Sequence, residues 1–315
     1  MLRFVLARLA AAVPVLLLVS FLTFALMYFV PGDVASEIAG PGASADELAG
    51  IRTRLGLDRP FLERALHWYA DLFLRGDLGQ SVLLGRSVTA AILERLPVTL
   101  SLSLLALVLA VVLGVAAGAI AAVRSNGWVD QGVMGLAMVG TSLPDFWLGL
   151  VLIYFFAVTL GWLPTGGYVP FGDDPLGWLR AMVLPASALA LTQVGLIARM
   201  TRASMLEVLQ QDFIRTARAK GLSEQIVVGK HALSNAVIPI LTVVGVSLGI
   251  LIGGAVVIEQ VFSIPGVGRL IIGGILRRDY PVIQGGLLFT AATFVLLNIL
   301  VDVLYAVFDP RIRYG

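Results

Sequence analysis

The chain has no cysteine, and histidine occurs only twice, as His67 and His231. The absence of thiols excludes disulfides, cysteine-ligated zinc and iron–sulfur clusters, and two histidines argue against a histidine-rich metal site. Charge is scarce as well: 13% of residues are charged, against about 25% in an ordinary soluble domain. Because 58% of the residues are hydrophobic, folding alone cannot remove this apolar surface from water, and lipid must be the solvent.

Six stretches are apolar enough to cross a bilayer, although the fourth is short for the task. A helix needs about 20 residues to span about 30 Å of hydrocarbon. The predicted spans are Leu9–Val30, Leu96–Val123, Gln131–Leu160, Ala181–Ala198, Ala232–Ile258 and Tyr280–Val301. Only a helix satisfies its own backbone groups in lipid as a single segment, so we expect an all-α polytopic membrane protein. The first span is longer than the core of a secretory signal, which favours a retained helix over a cleaved peptide ending near Val34–Ser36.

The distribution of Lys and Arg predicts that both termini face the cytoplasm. The long segment Pro31–Pro97 is left out, since long loops cross the membrane largely regardless of charge. The remaining segments assigned to the outside hold four basic residues, Arg180, Arg269, Arg277 and Arg278. Those assigned to the inside hold eleven, namely Arg3, Arg8, Arg124, Arg199, Arg202, Arg215, Arg218, Lys220, Lys230, Arg311 and Arg313.

The segment 31–97 is predicted to form a helical cap on the extracytoplasmic side. Ser44 and Glu47 make a capping box, followed by apolar residues at helical spacing (Leu48, Ile51 and Leu55) before Gly56. Pro60 suits a first helical position, and a second apolar stripe then leads to Gly76 (Leu62, Leu66, Tyr69 and Phe73). Ser87 is placed to begin a third short helix that ends at Pro97. The cap either packs over the spans or docks an external partner.

The segment 201–235 joins the fourth and fifth spans and predicts a hairpin of two helices at the membrane surface. Residues Asp212–Leu222 place small alanines between basic residues, and Gly221 suits a left-handed helix stop. Ser223 can cap the next helix. We expect the alanines to form a face that another protein approaches closely. The alternative is a basic loop that only fixes topology.

Small and polar residues inside the spans are candidates for packing and for a substrate path. Gly245, Gly249 and Gly253 repeat every fourth residue, as do Gly114 and Gly118, which favours close helix–helix contact. Asp145, after Pro144, lies within a span, where an acidic residue costs about 2.5–3.5 kcal/mol on insertion scales. It either lines the translocation path or bonds to backbone groups freed by Pro144. Weaker candidates for the path are Gln193, Ser247 and Asn298.

The hairpin resembles the "EAA" coupling motif of type I ABC importer permeases. That motif reads Glu-Ala-Ala, three residues, Gly, nine residues and Ile-x-Leu-Pro. Here Gly221, Ala217 and Leu233 match, whereas Arg215, Thr216, His231 and Ser234 depart from it. The departures are similar to those of the dipeptide, oligopeptide and nickel branch. Further matching segments are Gly76–Ser81, Leu143–Gly149, Gly161–Tyr168, Phe262–Gly268 and Asp309–Tyr314.

The resemblance implies an inner-membrane subunit, the first of two related permeases, in a bacterial importer. A second permease, two ABC ATPases and an extracytoplasmic binding protein are implied as partners, with no nucleic acid. ATP and Mg would be bound by the ATPases, since this chain has no Gly-x-x-x-x-Gly-Lys-Ser/Thr loop and no cofactor of its own is expected. The implied coupling residues are Asp212, Arg215, Thr216, Ala217, Arg218, Ala219, Lys220, Gly221, Leu222, His231, Leu233 and Asn235.

Dipeptides or oligopeptides are the expected cargo, with nickel chelates, glutathione and other small solutes left open. An ion-coupled secondary transporter is the main alternative, although no inverted repeat is evident. An enzyme is not expected, because the chain offers neither a nucleophile with its base nor a metal cluster.

Overall fold

The computed structural model describes residues 2–29, 34–39, 42–54, 58–81 and 83–308. Thirteen α-helices and two short strands occur in this described part of the chain. The helices are α1 Leu2–Phe29, α2 Val34–Ala39, α3 Ala45–Arg54, α4 Phe61–Arg75, α5 Val88–Val123, α6 Trp128–Ser142, α7 Asp145–Leu152, α8 Pro175–Leu209, α9 Asp212–Ala219, α10 Glu224–Ile226, α11 Leu233–Val261, α12 Val267–Leu276 and α13 Tyr280–Phe308. The strands are β1 Gln80–Ser81 and β2 Arg86–Ser87, and π-helical turns at Ile153–Thr159 and Val227–Ala232 extend α7 and link α10 to α11.

Five helices in the described ranges are long and apolar enough to cross a membrane, and a bent pair can supply a sixth span. The five contain α1, α5, α8, α11 and α13, and the pair is formed by α6 with α7. The chain is therefore a polytopic helical membrane protein, as the sequence predicts.

The predicted third span is formed by two helices and not by one continuous helix. It breaks between Ser142 and Asp145, and its two halves are bent by 105°. Pro144 cannot donate a backbone hydrogen bond, and its φ of −66° with ψ of 140° gives extended backbone just before α7. Asp145 therefore opens a new helix instead of interrupting an old one.

Two other predicted helices end in the wrong place. The short helix from Ser87 to Pro97 does not stop at Pro97, because α5 runs through that proline to Val123. The fourth span, predicted as Ala181–Ala198, is the middle of the much longer α8, with Asp174 capping its start through a bond from the Leu176 amide. Strands β1 and β2, of two residues each, pair antiparallel and form the only sheet in the described residues of this all-α fold.

The predicted cap helices form largely as expected. The Ser44 amide donates to the Glu47 carboxylate at 2.8 Å and the Glu47 amide donates to the Ser44 hydroxyl at 3.3 Å, which confirms the capping box. These bonds lower the pKa of the exposed Glu47 carboxyl. Pro60 precedes α4 as its N-cap residue, and Gly76 ends α4 with φ of 63°. Leu55, Gly56, the tail Asp309–Tyr314 and the side chain of Ile51 lie outside the described residues.

Packing divides the chain into two compact units. One contains Met1–Pro97 and Gly266–Leu296, and the other Val98–Pro265 and Leu297–Gly315. The core of the first unit joins α4, α5, α12 and α13 around Val88, Ile92, Ile271 and Val282. The second unit has two cores. The larger lies among α5, α7, α8 and α11, and the smaller supports the hairpin described next.

Candidate functional site

The hairpin predicted between the fourth and fifth spans is present as α9, a tight turn, and α10. Asp212 lies in the first turn of α9, where the helix dipole stabilises a negatively charged carboxylate. After α9 the Gly221 amide donates to the Arg218 carbonyl at 2.9 Å, and the Leu222 amide donates to the Ala217 carbonyl at 3.4 Å. This pair of bonds is a Schellman motif, and it places Gly221 in the left-handed region with φ of 78°. Gly221 is therefore the hinge between the two helices.

A side-chain ion pair crosses this hinge. The Arg218 guanidinium binds the Glu224 carboxylate through Nε to Oε1 at 2.7 Å and Nη2 to Oε2 at 3.3 Å. Glu224 raises the pKa of the Arg218 guanidinium. Both side chains are exposed, so the pair adds little stability, but its two contacts join α9 to the first residue of α10 across the hinge. Ser223 occupies the N-cap position of α10 without a side-chain cap bond.

One side of the hairpin is fixed to the core of the second unit. Ile214 and Ala217 of α9 are buried with Met205 and Val208 of α8 and with Ile240 of α11. The predicted alanine face is therefore wrong: Ala217 contacts this chain itself, whereas Ala219, two residues later on the helix, faces outward.

The outer side of the hairpin presents apolar and basic groups. Phe213, Leu222 and Ile226 are exposed large apolar side chains around the hinge. The polar and small predicted coupling residues Arg215, Thr216, Ala219 and Lys220 are exposed beside them. Ile226 was not among the predicted site residues, because nothing in its spacing distinguishes it from a residue that packs inward.

The last three predicted coupling residues lie beyond the hinge. His231 belongs to the π-helical turn before α11 and is partly buried. Leu233 packs partly against the hairpin core. Asn235 is exposed, and its side-chain amide donates to the His231 carbonyl at 2.6 Å. This segment continues into the membrane helix instead of belonging to the exposed tip.

Two of the predicted path residues lie close together. The Asp145 carboxylate lies near Thr192 on α8. The Thr192 hydroxyl donates to the Leu189 carbonyl at 3.0 Å and accepts from the Gln193 side-chain amide at 3.3 Å. Gly254 of α11 also faces this group, since a Cβ there would lie 2.9 Å from Oδ2 of Asp145.

The other two predicted path residues differ from this pair. Ser247 is fully buried on α11, and its hydroxyl has no hydrogen-bond partner among the described residues. Asn298 is exposed on α13. The structure therefore groups Asp145 with Gln193 and leaves Ser247 apart.

The glycine repeat of the fifth span lies in α11, and its glycines differ in whether they contact another helix. A Cβ at Gly245 would collide with Val301 of α13, so the two helices approach closely there. A Cβ at Gly253 meets no atom within 4 Å in the described part of the chain. Close helix contact is therefore present at Gly245, and at the level of Gly253 the neighbouring Gly254 is the glycine that packs against other side chains.

Three buried acidic groups were missed by the sequence reasoning, and two of them, Glu259 and Asp130, lie in the second unit. Glu259 near the end of α11 is fully buried and accepts from the Thr99 hydroxyl at 2.6 Å. Asp130 at the start of α6 is buried beside Arg202 of α8. The signal that could have found both is an acidic residue just inside the end of an apolar run.

Two models of known protein families match nearly the whole chain. The family model described as binding-protein-dependent transport system inner membrane component matches residues 114–314. Its N-terminal companion model matches residues 1–103. Together they cover both the hairpin and the segment that precedes α5.

Curated relatives match over nearly the full length. A putative peptide transport system permease protein of Brucella abortus (strain 2308) is 53% identical over 310 residues, which is 98% of each chain. A probable peptide ABC transporter permease of Sinorhizobium fredii is 44% identical over 99% of each chain. A glutathione transport system permease protein of Escherichia coli (strain K12) is 45% identical over 314 residues, all of both chains.

Among solved structures, the inward-facing MetNI methionine ABC transporter has a chain that resembles this one with a TM-score of 0.58 and 20% identity. The match covers 70% of this chain and 97% of that one. At this identity the likeness establishes the fold, which is that of a type I ABC importer permease. The fold, the hairpin and the two family models agree, and the chain belongs to the family of binding-protein-dependent transport system inner membrane components.

Proposed function

We propose that this chain is the permease subunit of an ATP-driven importer of di- or oligopeptides, and that its hairpin receives the motion of the ATPases. The observation that carries the proposal is the hinge at Gly221. It is clamped by Arg218 and Glu224 on one side and fixed to the α8–α11 core by Ile214 and Ala217. A force on the exposed tip therefore reaches two membrane-spanning helices through packed side chains.

The exposed tip has the composition of a docking surface. Phe213, Leu222 and Ile226 offer apolar contact area, and the surrounding groups are mostly basic or neutral. Apolar anchors within a polar rim are typical of specific protein interfaces. ATPase subunits on the cytoplasmic side are the partners that this family requires, with ATP and Mg bound by them. Closure of the ATPases would move the tip as a rigid body and bias the spans toward one of two states.

The coupling hypothesis is tested at the hinge with a matched control. Gly221→Val forces a β-branched residue into φ of 78°, whereas Gly229→Val adds the same atoms where φ is not positive and a Cβ meets no described atom within 4 Å. Both variants are assembled with the second permease and the ATPases in proteoliposomes. We expect Gly221→Val to retain ATP hydrolysis and lose most uptake, and Gly229→Val to retain both. Normal transport by Gly221→Val would overturn the placement of the hinge.

Peptide cargo is proposed from the names of the relatives, which include peptide and glutathione permeases. Binding measurements with dipeptides, tripeptides, glutathione and nickel on the cognate binding protein test this. Uptake that needs ATP and survives an ionophore supports the importer. Uptake driven by an ion gradient without ATP would favour the secondary transporter instead.

The proposed orientation has both termini and the hairpin in the cytoplasm, and the segment 31–97 outside, where it would meet the binding protein. Since the natural chain has no cysteine, single-cysteine variants report orientation directly. Leu222→Cys is expected to react with an impermeant maleimide only in inside-out vesicles, and Arg59→Cys only in intact spheroplasts. The reverse pattern would invert the topology.

A further inference from the structure

Helix α4 carries an apolar row that the described part of the chain leaves uncovered. Leu62, Leu66 and Phe73 are 72%, 71% and 68% exposed, and they recur on one side of the helix together with Tyr69. Tyr69 and Phe73 stack with ring centroids 6.0 Å apart, which makes the row continuous. The sequence predicts this stripe, but an ordinary amphipathic helix would turn it toward the core.

The inward side of α4 is a different and neighbouring arc. Phe61 and Trp68 pack against Phe24 of α1 with ring centroids 5.3 and 6.0 Å apart. Ala65 is buried, and Leu72 lies partly buried against the core of the first unit. At about 100° per residue, this arc lies beside the exposed apolar row and not opposite to it. The apolar surface of α4 is thus wide, and the described residues of the chain cover only one of its two arcs.

The third arc of α4 is charged and internally neutralised. Glu63 lies 3.5 Å from Arg59 and 3.9 Å from the imidazole of His67, and Asp71 binds Arg75 at 3.0 Å. A wide apolar arc beside a solvated charged arc is the pattern of a helix lying in the surface of a bilayer. Because these acidic groups offset most of the basic charge, anionic lipid would add little to the binding.

The contacts with α1 place α4 against a membrane-spanning segment. Ser20, Phe21 and Phe24 of α1, which touch α4, lie within its apolar stretch Leu6–Ala25. At 1.5 Å per residue, Ser20 to Phe24 span about 6 Å along the axis of α1, whereas their partners Phe61 to Tyr69 span about 12 Å along the axis of α4. The two helices are therefore not parallel. Helix α4 therefore crosses α1 near the end of this stretch. The outward side chains of α1 beside the contact, Leu18, Phe21 and Leu22, are exposed as well.

We propose that α4 is an interfacial membrane helix whose row of Leu62, Leu66, Tyr69 and Phe73 is covered by lipid of the outer leaflet. The row continues the exposed apolar surface of α1, and its Tyr69 is of a residue type that favours the membrane–water boundary. A helix of this kind lies with its apolar face about 5–10 Å below the headgroups. The segment between the first two spans is then partly a membrane anchor and not wholly a docking surface for a soluble partner.

The test uses the naturally cysteine-free background and the full chain, alone and assembled with its partner permease and ATPases. Leu66→Cys and His67→Cys carry the same environment-sensitive fluorophore on adjacent residues, exposed on the apolar and the charged arc respectively. The protein is reconstituted in vesicles of phosphatidylethanolamine and phosphatidylglycerol. Quenching by phospholipid with a doxyl group near the headgroup is compared with quenching by aqueous iodide.

We expect the two probes to respond in opposite ways to the two quenchers. The probe at Leu66→Cys emits at shorter wavelength and is quenched more by the doxyl lipid, whereas the probe at His67→Cys is quenched more by iodide. Quenching of both probes by iodide would place α4 in water and overturn the proposal. Protection of Leu66→Cys from both quenchers would overturn it too, because a protein surface would then cover the row. The pair Leu62→Cys and Glu63→Cys repeats the comparison if Leu66→Cys does not assemble.

Discussion

Asp130 and Arg202 are 72 residues apart in the chain and form a two-point ion pair, with Nε 2.5 Å from Oδ1 and Nη2 2.6 Å from Oδ2. The backbone amide of Asn126 donates to the Oδ2 atom of Asp130 at 2.9 Å. The pair therefore ties the turn between α5 and α6 to the part of α8 that leads into the hairpin.

Removing the charge of Asp130 is expected to destabilise the second unit. The side chain of Asp130 is 4% exposed and that of Arg202 is 27% exposed, so Asp130→Asn leaves a largely buried guanidinium without its counter-charge. Breaking such a pair costs about 3 kcal/mol, at the low end of the range for buried pairs because water partly reaches Arg202. Equilibrium unfolding of the detergent-solubilised chain measures this. Asp212→Asn, which breaks the exposed pair with Arg215, should change stability by less than about 0.5 kcal/mol; equal losses would show that the Asp130 pair is not stabilising.

The close approach of α5 and α8 depends on the absence of a side chain at Gly118. A Cβ there would collide with the Ala198 carbonyl and with Cβ of Thr201. Backbone cannot give way as a flexible side chain can, so Gly118→Ala should destabilise the chain by about 1–3 kcal/mol. Gly132→Ala is the control, because a Cβ at this helical glycine meets no described atom within 4 Å. It should be neutral or stabilise by up to about 1 kcal/mol, and a loss equal to that of Gly118→Ala would contradict the packing.

The sequence predicts features that depend on local rules. The capping box at Ser44, the left-handed ends at Gly76 and Gly221 and the approximate positions of the spans follow from spacing, from apolar runs and from the backbone freedom of glycine. It does not predict partners far apart in the chain, such as Asp130 with Arg202 or Thr99 with Glu259. Those pairings depend on which helices pack together, and one sequence contains no record of that.

The direction in which a side chain points is equally hidden when a helix is apolar on two sides. Ala217 and Ala219 are alike in sequence, yet one is buried under α9 and the other is exposed. The stripe of α4 was found by periodicity, but the arc that contacts α1 lies beside it. In a membrane protein, lipid and core both accept apolar residues, so hydrophobic periodicity alone does not tell the inner side from the outer.

The ion pair across the hinge should affect coupling more than stability. Glu224→Gln removes the counter-charge of Arg218, and since both groups are exposed the free energy of unfolding should change by less than about 1 kcal/mol. The angle between α9 and α10 is then less constrained, so more ATP should be hydrolysed for each peptide imported. Asp71→Asn is the matched control, because it breaks an exposed pair with Arg75 that lies within α4 and does not belong to the hairpin. Identical ATP-to-peptide ratios in the two variants would rule out the clamp.

We expect Asp279 to stabilise the β-hairpin that β1 and β2 form in the first unit. Its Oδ2 accepts from the Ser81 hydroxyl at 2.5 Å and from the Leu83 amide at 3.3 Å, and its Oδ1 lies 3.4 Å from the Val282 amide at the start of α13. Asp279 and Ser81 are both buried, so removing either side chain leaves the other without this hydrogen bond and without water to replace it.

A double-mutant cycle isolates this bond. Asp279→Ala and Ser81→Ala should each destabilise the chain, and the double variant should lose less than the sum, with a coupling of about 1–3 kcal/mol. Asp77→Ala combined with Ser81→Ala is the control cycle, because Asp77 accepts from the Gly79 amide at 2.9 Å and not from Ser81. Its effects should add within about 0.5 kcal/mol. Additive losses in the Asp279 cycle would mean that the short contact with Ser81 contributes no net stability, and that α12 and α13 hold the hairpin by apolar packing around Val88 and Val282 alone.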